Sequence, residues 1–380
     1  VAVGYRWLFG DLRTGKIVRT VDLTGGRWSL PFDGPGTMEG TFPLRSGEWP
    51  TARADAAVGK NFVAVAYVAA DGTETFLEAG PLWTTKYARA AGELVVGGAG
   101  LWTYFDHRKL LPVLAGDQSA AEASLTYDGS LALIAKRLIE QAQAHTGGTL
   151  PIVLPDDADL GTGANTRTYP GYELGWVGER LKQLTEVEDG PEVQFVPRRR
   201  TDDPRFIEWV MVVGTEPTGG MVYRPGAPHL IDGAAPKSPL RDLTIAASGS
   251  AIAERVWAAG QGEAQGRPIV SVTDPSLLTL GYPLLEAEVS STDSVEQDST
   301  LVAHATELAA QSSRPVETWQ VSLSRDGRPH VGLVRPGDWA RFRIAGDVYV
   351  PDGEYQMRIT AMSDDGDAVV LDLAPRLGDI

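Results

Sequence analysis

The run Phe62-Val63-Ala64-Val65-Ala66-Tyr67-Val68 is apolar at odd and even positions alike. Alternate side chains of a strand point to opposite faces, so a strand of this composition must be covered on both sides. A single water-washed sheet is thereby excluded. Asp71-Gly72 supplies residues that tolerate positive φ, and Phe76-Leu77-Glu78 can fold back antiparallel. Gly80-Pro81 is expected to break that second strand, Leu82 to Ala88 to form a third, and Ala91-Gly92 to turn the chain into a fourth from Glu93 to Val96. Four hairpin-linked strands favour an up-and-down barrel or a sandwich, with a neighbouring subunit able to cover the outer face.

The same grammar precedes this meander. Trp7-Leu8-Phe9 and Ile17 to Val21 flank the hairpin signal Arg13-Thr14-Gly15-Lys16, and Gly34-Pro35-Gly36 leads to Gly40-Thr41-Phe42-Pro43-Leu44. The period then changes. From Asp128, read as an N-cap, Leu131, Ile134, Leu138 and Ala142 fall on one helical face, and Gly147-Gly148 ends the run. A proline- and glycine-rich loop from Pro151 to Gly171 precedes a second helix with Val177, Leu181 and Leu184 on one side, stopped by Gly190-Pro191. Strands are expected at Val193 to Val196, Ile207 to Val213, Ile252 to Gly260 and Ile269 to Val272, and a third helix from Ser299 with Leu301, Ala305 and Leu308. The C-terminal part alternates clearly. Trp319, Val321 and Leu323 precede the turn Asp326-Gly327, Ala340, Phe342 and Ile344 oppose Arg341 and Arg343, and Tyr355, Met357 and Ile359 lead through Asp364 to Asp367 into Val369, Leu371 and Leu373.

At 380 residues and 43% hydrophobic composition, the chain can build two to four domains with real cores. Its 43 glycines and 25 prolines indicate many turns and short strands, a β-rich class with added helices. No run is long enough for a membrane-spanning helix, and Val1 to Trp7 lack a basic start and an apolar signal core. The absence of cysteine excludes disulfides and thiolate metal sites, and fits synthesis in a reducing cytoplasm before work elsewhere. A formal charge of −16 argues against tight nucleic-acid binding but suits a channel through which DNA must slide without being held.

No catalytic or ligand-binding pattern stands out. The histidines His107, His145, His229, His304 and His330 are scattered, and no nucleophile elbow or zinc spacing occurs. Gly260-Gln261-Gly262 with Gly266 departs from a phosphate-cradling loop and is followed by a strand, so it reads as a hairpin loop. Asp156-Asp157-Asp159 and Asp364-Asp365-Asp367 lack the ligand order of a calcium loop and read as solvated turns. Arg198-Arg199-Arg200 reads as a solvated loop or a set of ion-pair partners. The ten tryptophans, among them Trp28, Trp49, Trp83, Trp102 and Trp176, are assigned to core or interface packing ahead of sugar stacking. No catalytic, cofactor or metal residue is therefore assigned, and no enzymatic activity is expected.

Taken in order, several segments resemble the tail-hub (minor tail, baseplate-hub) proteins of long-tailed bacteriophages, notably those of actinobacteria. They are Gly40 to Leu44, Gly80-Pro81-Leu82, Gly98-Ala99-Gly100-Leu101 leading to Arg108, the helices around Leu131 and Leu181, Arg255 to Gly260, Arg335-Pro336-Gly337-Asp338, and Tyr355 to Ile359. The resemblance implies an α+β, β-rich, four-domain architecture: two tube-type β-barrels and two peripheral α/β domains. On this chain the boundaries would be a first barrel over 1–110 completed by 206–240, a peripheral helical/β domain over 111–205, a second tube-type β domain over 241–298, and a helix plus C-terminal β-barrel over 299–380. It further implies a homotrimer at the distal end of the virion tail that joins the sixfold tube and distal tail ring to a threefold central fibre. Other minor tail proteins and the tape measure protein are the expected partners, and DNA passes through the channel without specific binding. The chain stops at Ile380, after the last expected strand, so a peptidase or fibre-like extension is not expected. A carbohydrate-binding host-recognition protein, and behind it a cell-wall hydrolase, are the alternatives.

Overall fold

The computed structural model describes residues 4–21, 23–32, 34–44, 52–187, 190–215, 218–222, 227–262, 266–289, 298–325, 327–364, 366 and 368–375. The N-terminal strands are β1 (Gly4–Asp11), β2 (Ile17–Val21), β3 (Thr24–Pro31), β4 (Thr37–Pro43), β5 (Asn61–Val68), β6 (Glu74–Ala88) and β7 (Glu93–Ala99). The middle of the chain adds β8 (Ser124–Gly129), β9 (Ile152–Val153), β10 (Asn165–Pro170), β11 (Val193–Arg199), β12 (Ile207–Val213), β13 (His229–Asp232) and β14 (Leu240–Ser248). The last strands are β15 (Arg255–Ala259), β16 (Ile269–Thr273), β17 (Glu286–Glu288), β18 (Val316–Leu323), β19 (Trp339–Ile344), β20 (Gly353–Asp364) and β21 (Val369–Pro375). The helices are α1 (Ala52–Asp55), α2 (Trp102–Phe105), α3 (Leu131–Ala144), α4 (Val177–Thr185), α5 (Ser276–Thr279) and α6 (Asp298–Gln311).

Two compact units result, one of residues 1–243 with 320–380 and one of 244–319. In the smaller, β16-β15-β17 form a sheet against α6, and Val256, Ala258, Leu301, Ala305 and Ala309 make its core. The apolar stripe expected on this third helix is thus the packed one, with Leu308 half-buried at its margin. Glu254 is fully buried here, and its Oε2 accepts from the Leu285 amide at 2.6 Å.

The larger unit is built on a continuous sheet in the order β14-β18-β21-β20-β3-β4-β7-β6-β5-β1-β2, with β19 on β20 and β13 on β19. The two β regions expected as separate barrels are joined edge to edge, because β20 hydrogen-bonds β3 from Ala361↔Pro31 to Asp364↔Trp28. Among the described residues the path runs open from β14 to β2 and no sheet closes on itself.

The meander differs from expectation at Gly80-Pro81. β6 runs unbroken for 15 residues, pairing β5 as far as Pro81 and β7 from Leu82 onward, with a bulge between Leu82 and Thr84. The missing N–H of Pro81 falls where the strand changes partners, so the proline bends a long strand instead of ending it. Three strands therefore do the work expected of four.

All eight residues of β5 are buried, as its composition demands, but the cover comes from the chain itself instead of a neighbouring subunit. On one side Phe62, Ala64 and Ala66 join Leu8 in a core with Phe105, Ile134, Leu138, Leu181 and Trp209. Here Phe62 meets Trp209 edge-on at 5.9 Å, and the Trp209 indole donates to the Ala79 carbonyl at 2.8 Å. On the other side Phe9 packs edge-on against Phe42 at 5.0 Å, and Tyr5 lies between Tyr67 and Trp28. The apolar stripes of α3 and α4 thus belong to the core that covers this side of β5.

Two local readings are corrected. The cap of α3 is Ser130, whose hydroxyl accepts from the Leu133 amide at 3.0 Å and donates to the Leu160 carbonyl at 2.5 Å. Asp128 lies instead within β8, accepting from the Thr166 hydroxyl across β8-β10 at 2.6 Å. That pairing also places a strand inside the segment expected as loop. Of the expected strand Ile252 to Gly260, Arg255–Ala259 is extended and paired. Asp326, Asp365 and Asp367, assigned to hairpin turns, and Trp49 lie outside the described residues.

Candidate functional site

The scattered polar candidates stay apart in the fold. Asp157 accepts from Lys136 at 2.5 Å and pairs with Arg137, and these bonds hold its carboxyl below the usual range. Arg198, Arg199 and Arg200 pair with Glu208, Glu74 and Asp202 respectively, so the basic run is spent on the chain's own acids. His107 packs on Trp83, His145 contacts the Leu111 carbonyl, His229 faces Asp338, His304 is exposed on α6, and His330 stacks on Tyr67. Gly260 lies in the β15-β16 hairpin, its amide donating to the Pro268 carbonyl at 2.9 Å. Among the described residues no three His, Asp or Glu side chains gather as a metal site.

Exposed aromatics do share one turn, at Tyr172 and Trp176, beside Leu174 with its left-handed φ of 48°. The Lys109 ammonium sits 3.2 Å above the centre of the Trp176 ring and covers that face. Trp7, Trp28, Trp102, Trp209 and Trp319 are core residues.

What the structure does assemble is a surface. Across β7, β4, β3, β20 and β21 the register aligns Ala99, Thr37, Ser29, Ser363 and Val370 in one row. The next row inward aligns Gly98, Met38, Trp28, Asp364 and Val369. Strand geometry sends successive rows to opposite faces, and burial follows: Met38, Trp28, Asp364 and Val369 are all buried, while Thr37, Ser29 and Ser363 reach solvent. One face of the sheet is core and the other is open.

The outer row is made of small groups. The Ser29 and Thr37 hydroxyls are 2.7 Å apart, Thr41 and Thr84 continue the hydroxyl set, and Gly97 presents bare backbone. Arg27 stands opposite Glu39 in register, so the charges there balance across the strands. At the C-terminal end Gln320 donates to Asp372 at 2.8 Å. A shallow concavity of about 550 Å³ lies over Gly97 and Gly98, bounded by Trp83 and Arg27. Along this face the hydroxyls bond one another and the Arg27 charge stands opposite Glu39, so no row of cations is presented to grip phosphates. Such a face can line a passage.

The inner row explains how the N- and C-terminal strands stay together. Asp364 is 1% exposed and accepts from the Tyr5 hydroxyl at 2.5 Å and from Arg325 Nε at 2.6 Å. Burial, then the adjacent carboxylate, pushes the Tyr5 hydroxyl far above its ordinary range, so it stays a donor. A buried carboxylate held by a guanidinium on one side and a phenol on the other pins β1 to β20.

The turns singled out in the sequence converge behind this sheet, on Glu78 of β6. Its Oε1 accepts from the Ala79 amide at 2.9 Å and its Oε2 from the Gly36 amide at 3.1 Å. Methyl groups on Gly36 or Gly100 would lie 2.3 and 2.9 Å from Oε2, and one on Gly80 would lie 2.0 Å from the Ala99 carbonyl oxygen. Gly34-Pro35-Gly36, Gly80-Pro81 and Gly98-Ala99-Gly100 are thus one close-packed junction, held open to backbone approach by the missing side chains.

No family model matches the chain, and no curated protein matches it in sequence. Solved structures do match over its length. A tail protein from Neisseria meningitidis MC58 aligns with 98% of this chain and 96% of its own at a TM-score of 0.54 and 14% identity. The prophage MuSo2 43 kDa tail protein from Shewanella oneidensis aligns with 97% and 98% at 0.56 and 12%. The Escherichia coli c3393 protein, a component of the type VI secretion system similar in structure to the T4 phage tail proteins gp27 and gp5, covers 98% of this chain and 77% of its own at 0.50 and 10%. The chain has the fold of phage tail proteins.

Proposed function

We propose that this chain, with its tail-protein fold, is a structural hub of a phage tail tip and that the open sheet face lines the DNA passage. The observation that carries the reading is the unbroken row Ala99-Thr37-Ser29-Ser363-Val370, in which strands from both ends of the chain share one line of small side chains. A protein contact of this extent would favour large apolar or aromatic anchors, which the row lacks. A wall past which DNA slides needs the reverse: low relief, hydroxyls, and no net positive charge. With −16 per chain the molecule as a whole repels phosphate.

In this reading three copies ring the axis, each giving an N-terminal and a C-terminal segment of the sheet as two tube-type elements, so that threefold symmetry meets a sixfold tube. The assembly sits at the distal end of the tail, between the distal ring and the central fibre, with the tape measure protein and other minor tail proteins as neighbours. Its work is architectural, not catalytic.

The absence of native cysteine makes the passage testable. A Thr37→Cys chain carrying a bulky maleimide adduct should still assemble into tails that adsorb to cells, yet fail to release DNA. Normal DNA release with the adduct in place, or tails that never assemble, would remove Thr37 from the passage.

A further inference from the structure

The hairpin between β19 and β20 closes through residues 345–352, a connection longer than the usual about two to five residues. Its tip is braced from within. The Asp347 Oδ1 accepts from the Tyr349 and Val350 amides at 2.8 and 2.9 Å, the Asp352 Oδ1 accepts from the Gly346 amide at 2.7 Å, and the Tyr355 hydroxyl donates to the Pro351 carbonyl at 2.7 Å. Val350 is buried beneath the tip, whereas Val348 is fully exposed and Tyr349 is 76% exposed. The Val350 and Tyr349 amides hold the Asp347 carboxyl below its usual range, so it stays charged. The tip thus displays an apolar pair flanked by Asp347 and Asp352, with no basic side chain from Ala345 to Asp352. A braced aromatic loses little conformational freedom when it docks.

A groove of about 540 Å³ lies at the other end of β19, within the size range that holds a few side chains. Val196, Val210 and Val212 line one side of it, half-buried on one face of β11-β12, and Pro228, Leu333 and Trp339 line the other. Among the described residues its charged groups are Arg198, Arg335, His229 and Asp338. The Arg335 guanidinium donates to the Phe76 and Leu77 carbonyls, and His229 faces Asp338 at 3.5 Å. Arg198 pairs with Glu208, but its side chain is 49% exposed against 15% for the acid, so the end that faces solvent is positive. In a chain of net charge −16 this is an apolar groove with a cationic lip.

We propose that the β19-β20 tip of one copy docks into this groove of a second copy, with Tyr349 and Val348 entering between the valines and Leu333 while Asp347 and Asp352 meet the Arg198 lip. The six residues of β19 hold tip and groove about 20 Å apart within one chain, so the tip does not fill its own groove. A contact between two different patches is head-to-tail, and such contacts close into rings when the rotation allows. The inference rests on the reading that several copies ring one axis, and names the surfaces that hold them.

The test uses particles built with a Val348→Cys/Leu333→Cys chain, which has no other cysteine. A short bismaleimide should yield covalent species of two and three copies on a denaturing gel, and particles carrying either single variant should yield none. Both positions are exposed, so neither change disturbs the core. A Tyr349→Ala chain should melt as the wild type does and compete at least about tenfold less well for a place in tails. Threefold tips without links between copies, a link from position 348 to another protein, or equal competition by Tyr349→Ala would overturn the docking and leave the hub reading standing. Tips without threefold symmetry would remove both.

Discussion

Replacing Trp209 with alanine is expected to cost about 5 kcal/mol, the largest effect of any single side chain considered. The indole is wholly buried, and it packs on the Phe62 side of β5 through its edge-on contact with that ring. Truncation removes that cover and strips the Ala79 carbonyl of its donor in a place water does not reach. Trp209→Phe keeps a ring but no N–H, and should cost about 1–2 kcal/mol. Denaturant unfolding separates the two variants. If Trp209→Ala costs under about 1 kcal/mol, β12 does not seal β5 and the account of its double burial fails.

Gly80→Ala is the second large effect, about 3 kcal/mol or more. The added methyl would meet the Ala99 carbonyl oxygen at 2.0 Å and the Gly100 carbonyl carbon at 2.6 Å. Both are main-chain atoms, so no rotamer change relieves the clash, and β6 must part from the end of β7. Gly72→Ala is the control: its φ of 87° imposes strain, but nothing lies within 4 Å of the new methyl. It should cost about 1 kcal/mol. Equal costs at the two positions would show that backbone conformation, not close approach, selects glycine at 80.

The double burial of β5 was legible in seven consecutive apolar residues, because strand periodicity ties composition directly to burial. What covers the strand was not legible: Trp209 and Ala79 are 130 residues apart, and no local pattern announces that partnership. The apolar stripes of α3 and α4 were readable as helices, yet not as parts of the core that β5 shares. Local rules also chose wrongly between near-equal candidates. Asp128 and Ser130 are both good caps, and the β8-β10 ladder claims the first. Gly80-Pro81 has the look of a strand end, but the exchange of partners from β5 to β7 absorbs the proline.

The candidate surface was hidden for the same reason. Ser29 and Ser363 come from opposite ends of the chain, and each is an unremarked polar position in its own strand until β3 pairs β20. Glu78 likewise stands in sequence only as one residue of a short expected strand, and its burial emerges when three glycine turns close around it.

The most direct measurement is rotational averaging of the tail tip in images of intact particles, with heavy-metal clusters attached through Thr37→Cys. The account predicts threefold symmetry, with the label on the wall of a central passage. Labels on the outer surface, or a tip without threefold symmetry, would contradict it.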